Sequence, residues 1–250
     1  MKKQSKKRKS KKNIKTKNNK VLIMLNLIQT VLIIVLALFI WNTETEMKNI
    51  EKAKEKAVKE VKTKQGKNYV FLGDSITDWY PFNEFFDGNT PIINSGFAGY
   101  KTKDLLNNLD ETVYRYNPTK VFIQIGTNDL NSDDSNSEIA YDNILELIKE
   151  IKTNRPYAEI YLESIYPVNQ DCEKTNKQST GKRENKEIVK LNNKLKEYSK
   201  ENDVTYLDMY NKLSDENGNL KPEYTYDGLH LNSDGYSKVS NEIKKCIEEN

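Results

Sequence analysis

Residues 69–77 read YVFLGDSIT. Four residues that favour strands give way to a glycine-led turn, and the turn opens a short segment that begins at Ser75. The pattern predicts a strand running through a tight bend into a helix, with the serine at the bend. Further apolar runs of strand length follow: PIIN (91–94), VFIQI (121–125), AEIYLESI (158–165) and VTYLD (204–208). Amphipathic stretches separate or follow them: TKDLLNNLDETVYRY (102–116), SEIAYDNILELIKEIKT (137–153), RENKEIVKLNNKLKEYSKEN (183–202) and SDGYSKVSNEIKKCIEE (233–249). In the second of these Ile139, Ile144, Leu147, Ile148 and Ile151 fall largely on one helical face, and Ser135 and Glu138 have capping-box spacing at its start. Strands alternating with helices predict an α/β fold, a five-stranded parallel sheet covered on both faces. Crossovers in such a sheet are right-handed, and the loops at the C-terminal ends of its strands carry function.

Ahead of this pattern the composition is different. Residues 1–20 hold eleven Lys/Arg and no acid, and residues 21–41, VLIMLNLIQTVLIIVLALFIW, carry no charge. A helix of that length rises roughly 30 Å, the thickness of a bilayer's hydrocarbon core. The run is too long for a secretory signal, and Trp41-Asn42-Thr43-Glu44 offers no small-residue cleavage site. The chain is therefore expected to be a single-pass cell-membrane protein, with a basic cytoplasmic tail (1–20), a transmembrane anchor (21–41), a charged stalk or linker (42–67) and an extracellular domain (68–250). A fully helical stalk would reach about 39 Å. Its apolar positions, Met47, Ile50, Ala57 and Val61, are interrupted by Lys54 and leave the oligomeric state open. From Asn68 onward 21 basic side chains face 32 acidic ones, a net of −11. That balance argues against nucleic acid as a partner. Sequence does not decide whether Cys172 and Cys246 pair.

Within the domain, loops after predicted strands carry chemistry. GDSIT (73–77) follows the first, NSGFAG (94–99) the second and GTND (126–129) the third, while DGLH (227–230) holds the chain's single histidine. A serine hydroxyl is a weak nucleophile without an adjacent base, and His230 is the only imidazole available to Ser75. Asp227, three residues earlier, is placed to bond the far ring nitrogen and fix its tautomer. A tetrahedral intermediate needs donors for its oxyanion, and the candidates are the backbone N–H groups of Ser75 and Gly96 with the side-chain amide of Asn128. Asp74 is expected to brace the turn. Each residue alone has an ordinary explanation, a helix cap for Ser75 or turn chemistry for Asn128. Their joint placement on one sheet edge favours acyl transfer.

Residues from about Tyr69 to the end resemble the SGNH hydrolases, the GDSL esterase/lipase family, whose name-giving residues map onto Ser75, Gly96, Asn128 and His230, with Asp227 in the family's Asp-x-x-His pair. The resemblance implies a flavodoxin-like three-layer α/β/α fold, a Ser-His-Asp triad, an ester substrate and no metal or organic cofactor. The turn is not the G-x-S-x-G elbow of α/β-hydrolases, since Thr77 stands at the second glycine.

Attachment to a membrane points to acylated envelope glycans or lipids, with O-acetyl groups the first expectation. The same acyl-enzyme serves a hydrolase, which transfers to water, or an O-acyltransferase, which transfers to a wall polymer. A silent glycan-binding surface protein is the third reading, although a binder needs no base beside a serine. The aromatics Trp79, Tyr80, Phe82, Phe85, Phe86, Phe97 and Tyr100 either line a pocket or pack. The polar loop 166–182 borders the entrance or is mobile. NSDDSNSE (131–138) lacks the spacing of a calcium loop and is read as helix capping.

Overall fold

The structure, a computed structural model, describes residues 24, 27, 29–57, 68–133 and 136–248. The basic tail, part of the expected anchor (21–23, 25, 26 and 28) and the end of the stalk (58–67) lie outside the described residues. The chain divides into two compact units, 1–58 and 59–250. In the first, one helix, α1 (Gln29–Ala57), is long and apolar enough to cross a membrane. Its large apolar side chains, from Val31 to Trp41, are all exposed. A helix apolar all round normally lies in a protein core or a bilayer. It also runs without a break past residue 41 into the segment read as a separate stalk.

In the second unit five strands form one sheet: β1 (Tyr69–Gly73), β2 (Ile92–Gly96), β3 (Lys120–Gln124), β4 (Glu159–Glu163) and β5 (Thr205–Leu207). Their order is β2-β1-β3-β4-β5 and every pair is parallel. The helices are α2 (Ser75–Asp78), α3 (Phe82–Phe85), α4 (Thr102–Leu106), α5 (Leu109–Thr112), α6 (Ser137–Asn154), α7 (Lys177–Thr180), α8 (Asn185–Glu201), α9 (Met209–Leu213) and α10 (Ser233–Glu248).

Because strand side chains alternate, each strand feeds two cores. Val70, Leu72, Val121, Ile123, Ile160 and Leu162 pack under α6 and α8 in an aliphatic layer. Tyr69, Phe71, Phe122 and Tyr161 point the other way into a largely aromatic layer closed by α9 and α10. There Phe71 stacks on Phe122, and Phe122 on Tyr161, with centroids 4.5 and 4.6 Å apart. Burial on both faces is why these strands read as continuous apolar runs.

The expected helix over 102–116 is instead α4, α5 and a 3₁₀ turn at Tyr114–Tyr116. Asn107 and Asn108 interrupt it; the Asn108 side chain donates to the Asp104 carbonyl at 2.8 Å, competing with the helical ladder. The cap of α6 is Asn136, whose Oδ1 accepts from the N–H groups of Glu138 and Ile139 at 2.9 and 3.0 Å. Ser135, expected there, lies outside the described residues. Among the described residues no disulfide joins Cys172 to Cys246.

Candidate active site

Ser75 opens α2 immediately after β1 and is nearly buried. Asp74 caps that helix: its Oδ1 accepts from the Ile76 N–H at 3.0 Å, and its carbonyl accepts from the N–H groups of Thr77 and Asp78. These bonds leave the Ser75 N–H with no acceptor among the described residues. Asp74 is wholly buried, and among the described residues its Oδ2 has no hydrogen-bond partner. Burial pushes this carboxyl up to about 7, against the Ile76 N–H and the charges of Arg183 and His230.

His230 arrives on a loop pinched by an isolated antiparallel bridge between Thr225 and Leu231. The Thr225 hydroxyl donates to the His230 carbonyl at 2.8 Å and accepts from the Gly228 N–H at 2.9 Å. Asp227 Oδ1 accepts from the N–H groups of Leu229 (3.0 Å) and His230 (2.8 Å). Its Oδ2 lies 2.8 Å from His230 Nδ1, and His230 Nε2 lies 2.9 Å from Ser75 Oγ. A carboxylate only accepts, so the ring hydrogen belongs on Nδ1 and Nε2 is left to accept from the serine hydroxyl. Burial pushes the Asp227 carboxyl up, but bonds from the His230 ring and N–H, the Ser179 hydroxyl and the Leu229 N–H outweigh it and hold it well below the usual carboxylate range. The long loop 166–182 is a brace: the N–H groups of Asn169 and Asn176 donate to the carbonyls of Gly228 and Asp227, each at 2.8 Å. Trp79, 55% exposed, packs on His230 with centroids 4.2 Å apart, whereas Tyr80 and Phe82 are buried in the aromatic layer.

The three expected oxyanion donors fare differently. Asn128 Nδ2 donates to the Tyr100 carbonyl at 3.0 Å, which leaves its second N–H without an acceptor among the described residues. The Gly96 N–H is taken by Asn94 Oδ1 at 2.9 Å. Its missing side chain serves packing instead, since a Cβ there would stand 2.1 Å from the Asp78 nitrogen. In the same loop Gly99 has a φ of +82°, open space where its Cβ would be, and an N–H with no acceptor among the described residues. It adjoins Tyr100, whose carbonyl holds Asn128. The second glycine of NSGFAG thus has the properties expected of the first.

Sequence reading also passed over two buried supports. Asp129 accepts from the N–H and hydroxyl of Thr102 at 3.0 and 3.2 Å, tying the third loop to α4. Arg183, read only as the start of a helix, places its guanidinium on Asn128 Oδ1 at 2.7 Å. Their sequence signal was weak, a single acid after Asn128 and one arginine among many surface cations. Among the described residues no group of three or more His, Cys, Asp or Glu side chains is placed to hold a metal ion.

A sequence model of the GDSL-like Lipase/Acylhydrolase family matches residues 71–238, a span that holds the hydroxyl, the imidazole, the carboxylate and the amide. The chain belongs to that family. It is similar to a solved structure from Streptococcus pneumoniae described as a candidate platelet activating factor, with 33% identity, a TM-score of 0.67 and coverage of 81% of this chain and 98% of that one. A GDSL-like lipase from Bacteroides thetaiotaomicron is 26% identical, with a TM-score of 0.63 over 78% of this chain and 97% of the other. A structure from Bacteroides fragilis described as a candidate acylhydrolase is 28% identical, with a TM-score of 0.65 over 74% of this chain and 88% of that one. An N-acylneuraminate cytidylyltransferase from Escherichia coli is 29% identical over 180 residues, 71% of this chain but 39% of that enzyme's length. As a GDSL-like acylhydrolase the chain is an enzyme that acts on esters.

Proposed function

We propose that the chain is a membrane-anchored serine esterase whose catalytic domain faces outward. Ser75 attacks the ester carbonyl while His230 Nε2 takes its proton, and Asp227 steadies the imidazolium. The oxyanion rests on the N–H groups of Ser75 and Gly99 and on the Asn128 amide, Gly99 taking the part that sequence reading gave to Gly96. His230 returns the proton to the leaving alcohol, and water then releases the acyl group from Ser75. The observation that carries this reading is the unbroken chain from Ser75 Oγ to His230 Nε2 at 2.9 Å and from His230 Nδ1 to Asp227 Oδ2 at 2.8 Å.

Two observations support an acylated envelope sugar as the substrate. The apolar α1 is suited to tether the domain at the membrane (21–41 the span, 1–20 cytoplasmic). The match to part of an enzyme named for N-acylneuraminate points to an acidic sugar whose hydroxyls would carry the ester. O-acetyl esters of such glycans are the first candidates.

The test uses the full chain in detergent. It should hydrolyse p-nitrophenyl acetate and take up a fluorophosphonate on Ser75; Ser75→Ala should abolish labelling and lower kcat by at least about 10³-fold. Retention of the full rate by that variant would refute the mechanism. Released acids and any acylated acceptor, identified by mass after incubation with envelope glycans, separate hydrolysis from transfer.

A further inference from the structure

We propose that Arg183 is the positioning residue of the oxyanion site, acting through Asn128. This inference rests on the esterase reading above and goes beyond it.

Arg183 is 3% exposed, and each of the three nitrogens of its guanidinium donates a hydrogen bond. Nε donates to the carbonyl and hydroxyl of Thr127 at 2.8 and 2.9 Å. Nη1 donates to the carbonyls of Ser179 and Thr180 at 2.8 and 3.1 Å, and Nη2 donates to Asn128 Oδ1 at 2.7 Å. Among the described residues no carboxylate hydrogen-bonds to it; the charges of Asp74 and Asp227 act on it from beyond contact distance. A buried cation without an ion pair is costly. Cross-linking the loop at 127–128 to the end of the 166–182 loop needs donors but not a charge.

The partner on Asn128 gives the charge a use beyond its attraction to Asp74 and Asp227. A primary amide has two ends of nearly the same shape, and a flipped side chain would turn its carbonyl oxygen toward a developing oxyanion. Guanidinium has donors and no acceptors, so it binds only the Oδ1 end. With Oδ1 held by Arg183, Nδ2 is forced to the opposite side, where one N–H meets the Tyr100 carbonyl at 3.0 Å and the other remains for the substrate. A charged donor on the amide oxygen also draws electron density from the nitrogen and strengthens that second N–H as a donor. A full positive charge is then held beside the place where negative charge appears during attack. The same arginine grips the carbonyls of Ser179 and Thr180, in the 166–182 loop whose Asn176 N–H holds the Asp227 carbonyl. One side chain therefore ties the Asn128 loop to the loop that braces Asp227.

A double-mutant cycle on the full chain in detergent, with p-nitrophenyl acetate as substrate, tests this. Arg183→Met should lower kcat about 10²-fold and leave KM within about threefold, the signature of lost transition-state stabilisation. In an Asn128→Ala background the same change should cost less than about threefold, because the group it orients is gone. Guanidinium ion added to Arg183→Ala should restore part of the rate, and none of it in the Arg183→Ala, Asn128→Ala pair. If Arg183→Met melts below the assay temperature, Arg183→Lys enters the same cycle, with an expected loss of about tenfold that likewise disappears without Asn128. Losses that multiply in the double variant, or a change confined to KM, would overturn the inference. Neither result touches the esterase reading, which stands or falls on Ser75→Ala in the parent chain.

Discussion

Asp227 and Asp74 are the same side chain, both accept backbone N–H groups, and both serve Ser75, yet their ionisation is driven in opposite directions. Asp227 is braced by the 166–182 loop and receives three donors, from the His230 ring and N–H and the Leu229 N–H, with the Ser179 side chain also holding its carboxyl low. Asp74 is enclosed by the sheet edge and receives one side-chain bond, from Ile76, with Oδ2 left bare. Desolvation raises both; only where donors outnumber it does the charged form win. A carboxylate that must steady an imidazolium needs the first environment. One that only caps a helix tolerates the second.

The sharpest way to break this comparison is to neutralise each acid in turn. Asp227→Asn should lower kcat about 10³–10⁴-fold, since the amide no longer holds the ring in the useful tautomer. Asp74→Asn should keep kcat within about tenfold, because the native carboxyl is easily protonated and an amide can still accept from the Ile76 N–H. Equal losses on p-nitrophenyl acetate would dissolve the distinction.

Stability against pH sharpens it further. Asp74 binds its proton more tightly folded than unfolded, so as pH rises from 3.8 to about 7 the unfolded chain loses the proton first and stability falls. Asp74→Asn should remove that slope and leave the variant more stable than the parent at pH 8 by about 2–4 kcal/mol at most, a difference that vanishes toward pH 4. The depressed Asp227 works in reverse: its contribution is present above 3.8 and is lost as pH falls below it. Denaturant midpoints at pH 4, 6 and 8 read both effects; a gap that widens on acidification would contradict the Asp74 assignment. The smallest expected effect belongs to Ser179→Ala, which takes away one of the side chains that hold the Asp227 carboxyl low. It should cost about 1 kcal/mol, less than a tenfold loss in kcat, and a null effect would mean the remaining three suffice.

Much of this was readable in the chain. Strands buried on both faces must be apolar along their whole length, as β1, β3 and β4 largely are; the bends after β1 and β3 carried Ser75 and Asn128, and the Asp227–His230 pair stood out in the loop before the last helix. The aromatics showed the limit of that reading. Tyr80 and Phe82 belong to the core and Trp79 to the rim of His230, a division that depends on which way a short helix turns. The helix over 102–116 failed because its apolar spacing was right while two adjacent asparagines offered the backbone other bonds.

Periodicity, charge and turn chemistry are properties of neighbouring residues, and they determined the α/β class, the apolar N-terminal helix and which loops to inspect. The choice between Gly96 and Gly99, the cap at Asn136, the brace under Asp227 and the grip of Arg183 on Asn128 were decided by the folded chain alone. Each depends on which donor or acceptor is already engaged by a partner, and for Arg183 that partner lies 55 residues away. Whether a given N–H is occupied or free is set by packing in three dimensions, and no local pattern encodes it.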